Sequence, residues 1–312
     1  MELVDSTVSE HIQEKQKRAA TIVFANHKGG VAKTTSTVMA AQVYASSGLK
    51  VLVLDVDSQG NVSEALCPKG LSPMELPSID ICLADASKSR LCAVQSCFDG
   101  ILLIPSSISM ERPFPSFDEE NHLAERSGPS AKGGFFRKTP ARRERDEPVP
   151  FPLIYRIPLG AVSAIVDELD SYFDVVLVDT APSLGLATQS ALRAADYIVL
   201  PCSPARHAIF GLPDMLELAG TISCAPSGVL VTLADNRTRL DNIGRQHLMA
   251  KFNCLGEVPK ISRIADNIAV KRNVLSRIDS AKAKEIEDLF MKILQEARSS
   301  LAQLPAAGSG TL

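Results

Sequence analysis

The sequence predicts an α/β fold: a doubly wound, mostly parallel sheet with helices on both faces. Its first basis is a set of apolar runs, TIVFA (21–25), VLVLD (51–55), ILLIP (101–105), DVVLVD (174–179), YIVLPC (197–202) and GVLVTL (228–233). They are continuous rather than alternating, as strands covered on both faces must be. The second is that helical patterns fill the intervals, which implies right-handed crossovers and parallel order. In such a sheet ligands bind beyond the carboxyl ends of the strands, so the residues that follow each run are where chemistry is expected.

The chain has 312 residues, 45% of them hydrophobic, enough to bury a sizeable core in one domain. Taken in order, residues 1–18 read as a flexible N-terminal segment, and 19–110 and 151–303 as the two parts of the α/β domain. Between them, 111–150 read as a disordered insertion, with prolines at 113, 115, 129, 140, 148 and 150 and no sustained period. Within it FFRK (135–138) is an aromatic-basic piece that could meet a partner or nucleic acid, although composition alone favours a solvated loop. A helix is expected near 159–172. A last helix should place Ile286, Leu289, Phe290, Ile293, Leu294 and Ala297 on one face against the core, followed by a flexible tail, 304–312.

A net charge of −3 excludes attachment to nucleic acid by bulk charge, so any such contact needs a local basic patch. No stretch reaches the length of a membrane span and the start is polar and charged, so a cytoplasmic protein without membrane contact is expected. The cysteines, at 67, 82, 92, 97, 202, 224 and 254, form no C-x-x-C pair and have no histidine at ligand spacing. They read as reduced structural thiols; the rival reading is an iron–sulfur cluster shared by two subunits.

The stretch TIVFANHKGGVAKTTSTVMAAQVYASSG (21–48) combines a strand, a glycine-containing turn and a helix ended by Gly48. A turn of this kind binds phosphate: small residues let backbone N–H groups curl around the oxygens, and the helix N-terminus adds its partial positive charge. Lys33 would reach the β- and γ-phosphates of a nucleotide, and the Thr34 hydroxyl would ligate magnesium. The generic pattern G-x-x-x-x-G-K-[ST] is not met, because His27 and Ala32 occupy its two glycine positions. If position 32 required positive φ, alanine would be costly. If it already lies in the helix, alanine is harmless, and this second reading is the one expected.

Two acidic loops follow strands: LDVDSQGN (54–61) and VDTAPSLGLAT (178–188). Acids at strand ends near phosphates can hold a magnesium shell or orient water; helix capping is the plainer alternative.

Lys28-Gly29-Gly30-Val31 ahead of Lys33-Thr34-Thr35 resembles the deviant Walker A motif of the ParA/MinD family of P-loop ATPases, and the acidic loops resemble its two switch motifs. The resemblance spans roughly 20–105 and 155–300. It implies a P-loop NTPase fold with ATP and Mg2+ as cofactors, and Gly29, Gly30, Val31, Ala32, Lys33, Thr34 and Thr35 around the phosphates. Lys28 would cross to the nucleotide of a second subunit in an ATP-dependent homodimer, and Asp57 would position water. Thr34, Asp55 and Asp179 would serve the magnesium site, partly through its outer shell. Ser58 and Ala181 stand where the family usually has proline, and Ala32 where it usually has glycine.

Between 235 and 277 nine bases face four acids, a local excess of +5. A solvated helical surface would account for it; so would sequence-independent phosphate contacts. ADNRTRL (234–240) and VPKISRIADN (258–267) resemble family segments that contribute to nonspecific DNA binding. Arg237, Arg239, Lys260, Arg263, Lys271 and Arg272 are therefore the candidate contacts.

The implied role is partition of a plasmid, chromosome or other cargo by a nucleoid-associated ATPase. It would act on nonspecific double-stranded DNA, hydrolyse ATP weakly alone and be stimulated by a ParB-like adaptor. About twenty residues precede the first strand, too few for the upstream helix-turn-helix domain of some relatives. The alternatives are a MinD-like membrane-surface ATPase, whose C-terminal anchor this tail does not resemble, and a metabolic ATPase on the same scaffold.

Overall fold

The apolar runs become strands because their β-branched residues suit a pleated backbone covered on both sides. The computed structural model describes residues 18–107, 157–235 and 237–303, so the expected insertion at 111–150 and the tail lie outside the described residues. The strands are β1 (Ala20–Phe24), β2 (Val51–Val56), β3 (Val94–Gln95), β4 (Ile101–Ile104), β5 (Val175–Thr180), β6 (Tyr197–Cys202), β7 (Ser227–Ala234) and β8 (Cys254–Pro259). They form one sheet in the order β3-β4-β2-β5-β1-β6-β7-β8, parallel except for β3 against β4. Each expected run overlaps a strand to within a residue at either end, but β3 and β8 were not expected. The β8 run, CLGEVP, is broken by Gly256, Glu257 and Pro259, which the outermost strand tolerates because one of its edges has no strand partner among the described residues.

On one face of the sheet lie α1 (Lys33–Ser46) and α11 (Ser280–Gln303), whose Val38, Met39, Tyr44, Phe290 and Ile293 share a core with alternate strand residues. On the other lie α5 (Ala161–Leu169), α6 (Leu186–Ala194) and α8 (Leu212–Ile222), through Val162, Ile165, Leu192, Leu212 and Met215. The remaining helices are α2 (Asn61–Leu66), α3 (Ile79–Ala84), α4 (Ser89–Cys92), α7 (Arg206–Ile209), α9 (Arg239–Lys251) and α10 (Ser262–Ala269). Of the six residues expected on the inner face of the last helix, five are buried and Leu289 is partly buried against Gly256.

Two polar contacts tie α1 to the C-terminal third. The buried Tyr44 hydroxyl donates to the Phe290 carbonyl at 2.9 Å, and Gln42 Oε1 accepts from the Val274 N–H at 2.7 Å. Both hold the helix that begins directly after the β1–α1 loop. No helix among the described residues is long and apolar enough to cross a membrane.

Candidate functional site

The loop from Ala25 to Ala32 leaves β1 at the centre of the sheet, between β5 and β6. Asn26, fully buried, anchors its start: Nδ2 donates to the Pro201 carbonyl at 2.8 Å and Oδ1 accepts from the Lys28 N–H at 3.0 Å. Gly29 and Gly30 are exposed, with open space where a Cβ would stand, and Gly30 has φ +70, a conformation that glycine adopts without cost. These features leave the backbone of the turn uncovered by side chains at Gly29 and Gly30.

Ala32 requires a correction. It precedes the first turn of α1 with φ 63 and ψ 32, in the left-handed region, rather than lying within the helix as expected. Alanine there costs about 1 kcal/mol relative to glycine. The cause is geometric: the loop must reverse once more before the helix starts, and position 32 makes that reversal.

Lys33 is only 7% exposed, and its Nζ donates to the Lys28 carbonyl at 3.1 Å. Burial pulls its pKa below the usual lysine value, while the charges of Asp179 and Asp57 act in the opposite sense. The Thr34 hydroxyl donates to Asp179 Oδ2 at 2.9 Å and the Thr37 hydroxyl to Oδ1 at 3.0 Å, so α1 presents two hydroxyls to one carboxylate. Asp55 lies directly across from Asp179 in the β2–β5 register, and both are fully buried. Burial pushes the Asp179 carboxyl up to about 8, helped by the negative charge of Asp55. Asp55 rises to about 6 for the same first reason.

A buried acid pair with Lys33 as its nearby cation, next to a threonine hydroxyl, is a set of hard oxygen donors that fits a divalent ion such as magnesium. Asp55 also organises its own loop: Oδ2 accepts from the Ser63 N–H at 2.8 Å and from the Ser63 hydroxyl at 2.7 Å, and Oδ1 from the Asp57 N–H at 3.1 Å. Asp57 is 5% exposed, and its Oδ1 accepts from the Gln59 N–H at 3.0 Å.

Lys28 is partly buried, and its stem lies over Gly211 together with the His27 ring. A Cβ added at Gly211 would stand 2.7 Å from Lys28 Cε and 2.5 Å from His27 Cε1. The His27 pKa is lowered, first by burial and then by the neighbouring Lys28, against the opposing charge of Asp214.

The loop that follows β1, with Lys33 and Thr34, and the acids Asp55, Asp57 and Asp179 thus meet at one end of the sheet. Asn26, Thr37 and Ser63 join them and were not read from the sequence. Thr37 lies one turn after Lys33 and is the one that helical spacing could have revealed.

A family model described as an AAA domain matches residues 19–122 and 158–226, more than half of the chain. The chain belongs to this family, as a ParA/MinD-like P-loop ATPase. It is 26% identical over 227 residues to the chromosome-partitioning ATPase Soj of Treponema pallidum, covering 70% of this chain and 74% of that one. It is 25% identical to the virulence plasmid ParA family protein pGP5-D of Chlamydia psittaci, over 88% of this chain and 93% of the relative. Among solved structures, a putative plasmid partition protein from Borrelia burgdorferi bound to AMPPNP superposes with a TM-score of 0.65 at 18% identity, covering 89% of this chain and 99% of that one. The ATP complex of a McdA variant from Cyanothece gives 0.66 at 15% identity, covering 94% and 100%. These two structural likenesses show the fold.

Two stretches that carry basic residues of this ParA/MinD-like chain follow the ends of β7 and β8, which pair at Ala234 and Pro259. Arg237, Arg239, Lys260, Arg263 and Arg272 are exposed. Arg237 pairs with Asp235, its Nε and Nη2 reaching the carboxylate at 2.8 and 2.6 Å. Lys271 is partly buried, and its Nζ donates to the Cys67 carbonyl at 3.2 Å, so it stands apart from the exposed group. The seven cysteines are free thiols; Cys82 and Cys92 are buried in the core on one face.

Proposed function

We propose that this chain is a magnesium- and ATP-dependent ATPase that dimerises in the ATP state, binds nonspecific double-stranded DNA and positions DNA or another cargo in the cytoplasm. The observation that carries this reading is the meeting of Lys33, Thr34 and the buried Asp55–Asp179 pair at the mouth of a glycine cradle that also holds a second lysine, Lys28. The partition ATPases among its relatives support the cargo half of the proposal.

The cradle N–H groups and the first turn of α1 would hold the terminal phosphates by dipole and hydrogen bond. Lys33, already desolvated, would neutralise charge as the γ-phosphoryl group leaves, because an ammonium in a water-poor site acts more strongly than one in solvent. Thr34, with Asp179 behind it, and Asp55 would hold magnesium, which when bound draws charge from the phosphate oxygens. Asp57 would accept a hydrogen bond from water and align it for attack. Lys28 would leave Gly211 to meet the nucleotide of a second copy, making the site complete only in the dimer. The Asp55–Ser63 and Asp57–Gln59 contacts organise the first acidic loop, and Asp55 stands beside Asp179, so a bound γ-phosphate would have a route to hold or release that loop. The Arg237, Arg239, Lys260, Arg263 and Arg272 group offers a DNA face, and a ParB-like adaptor would stimulate the slow intrinsic reaction.

Co-sedimentation of the full chain with nonspecific duplex DNA in ATP and in ADP tests the proposal. ATP-dependent binding that weakens steeply with salt is expected. Equal binding in the two nucleotide states would overturn it, and binding to anionic vesicles in place of DNA would favour a membrane-surface ATPase.

A further inference from the structure

The phosphate loop adopts a turn that its sequence disfavours, and a residue two strands away holds it there. A left-handed alanine is depleted roughly five- to thirtyfold in local population, so Ala32 alone would let the loop relax. The carbonyl of the preceding residue, Val31, accepts a hydrogen bond from Thr232 Oγ1 at 3.0 Å, and both residues are 1% exposed. Rotating the Val31–Ala32 peptide out of its present orientation would swing that carbonyl away and leave a buried hydroxyl without its acceptor, a costly state away from water. The carbonyl of Ala32 itself accepts from the Ser36 N–H at 2.9 Å and the Ser36 hydroxyl at 2.8 Å. The peptide units on both sides of Ala32 are therefore held, one by α1 and one by β7.

Strand β7 is irregular at this point. Its register with β8 shifts between Thr232 and Ala234, and Leu233 between them has φ 56 and is 36% exposed. A bulge re-aims the side chains beside it, and here Thr232 faces the loop while Leu233 faces outward.

We infer that Thr232 is a positioning residue for the nucleotide site: its hydroxyl fixes the Val31 carbonyl and so keeps the phosphate loop in its binding turn despite alanine at position 32. The inference rests on the nucleotide-binding reading above. It explains how a chain with alanine at this position retains a formed cradle, and it makes the end of β7, next to the proposed DNA face, part of the nucleotide site.

The test uses four full-length variants, Thr232→Val, Thr232→Ser, Ala32→Gly and Ala32→Gly with Thr232→Val. ADP and ATP binding in magnesium is measured by calorimetry, and the carbonyl-carbon shift of Val31 is measured in nucleotide-free, carbonyl-labelled protein. Thr232→Val should weaken ADP roughly three- to tenfold, the range of one buried hydrogen bond, and should move the Val31 signal. Thr232→Ser should do neither. In the Ala32→Gly background the loss should shrink to under about twofold, because glycine holds positive φ unaided. Wild-type affinity and an unmoved carbonyl in Thr232→Val would overturn the inference, as would an equal loss with and without glycine at position 32. If Thr232→Val does not fold, Thr232→Ser decides: a moved carbonyl and tenfold weaker ADP there would overturn it, and their absence would support it. A wild-type chain that binds neither nucleotide would remove the nucleotide site itself, and the carbonyl signal would still decide whether Thr232 holds the loop.

Discussion

Helix α9 carries Arg239 and Arg245, and it approaches the segment after β6 so closely that Gly244 leaves no room for a side chain. A Cβ at position 244 would stand 2.0 Å from the Pro204 carbonyl oxygen and 2.9 Å from its carbon. Ordinary contact begins near 3.4 Å, so the helix would have to retreat by about 1.4 Å, the difference between 3.4 and 2.0. The obstacle is buried backbone, which cannot swing aside as a side chain would. Overpacking of this kind costs up to about 3 kcal/mol, and the higher helix propensity of alanine returns about 1 kcal/mol, leaving a net loss of about 2 kcal/mol. Gly244→Ala should therefore lower the urea midpoint without changing the slope, and should lower the melting temperature by about 4 °C or more. The retreat would also stretch the Arg245–Glu257 ion pair, now at 3.0 Å. A Gly244→Ala chain as stable as wild type, or more stable, would refute the reasoning, because it would mean that α9 rests loosely on the core.

Three further outcomes follow from the site. Asp55 and Asp179 have folded pKa values raised above the usual carboxylate range, so the native state holds more protons than the unfolded chain between about pH 4 and pH 8. Stability of the nucleotide-free protein should fall as pH rises through that window, and Asp179→Asn should flatten the curve; a urea midpoint that climbs with pH would contradict this. Asp57→Ala should keep nucleotide affinity within about threefold and lose at least about 100-fold in hydrolysis, as removal of a water-orienting group does; steady-state phosphate release at the wild-type rate would free Asp57 of that role. Lys33→Ala should abolish both tight nucleotide binding and turnover, and a variant that hydrolysed ATP normally would discard the cradle as the reactive site.

The central strands were legible in the sequence because burial on both faces writes itself as continuous Val, Ile and Leu. The strand Cys254–Pro259 was not, since an outer position admits Gly256 and Pro259, and the two-residue β3 carries too little pattern to read. In the site, Lys28, Lys33, Thr34 and the three aspartates were readable because they sit at fixed offsets in short motifs. Asn26 and Thr232 were not, because their partners Pro201 and Val31 come near only once the sheet is assembled; Thr37 shares a helical face with Lys33 but its partner Asp179 is equally distant in the chain, and Ser63 reaches Asp55 across a loop whose turn no motif specifies. The φ of Ala32 was misread for a related reason: a propensity scale knows the residue but not the turn that the surrounding backbone forces on it.

The position of β5 has a consequence for synthesis. Strand β1 has only β5 and β6 as neighbours, and Ile22 lies beside Leu177 and Tyr197, partners 155 and 175 residues later by subtraction. Throughout translation of the intervening chain the first strand waits unpaired, its backbone edges open to mispairing and its apolar faces uncovered. Ring closure over so long a span is slow. The loop that follows β1, hung on that waiting strand, would therefore be among the last features to take shape.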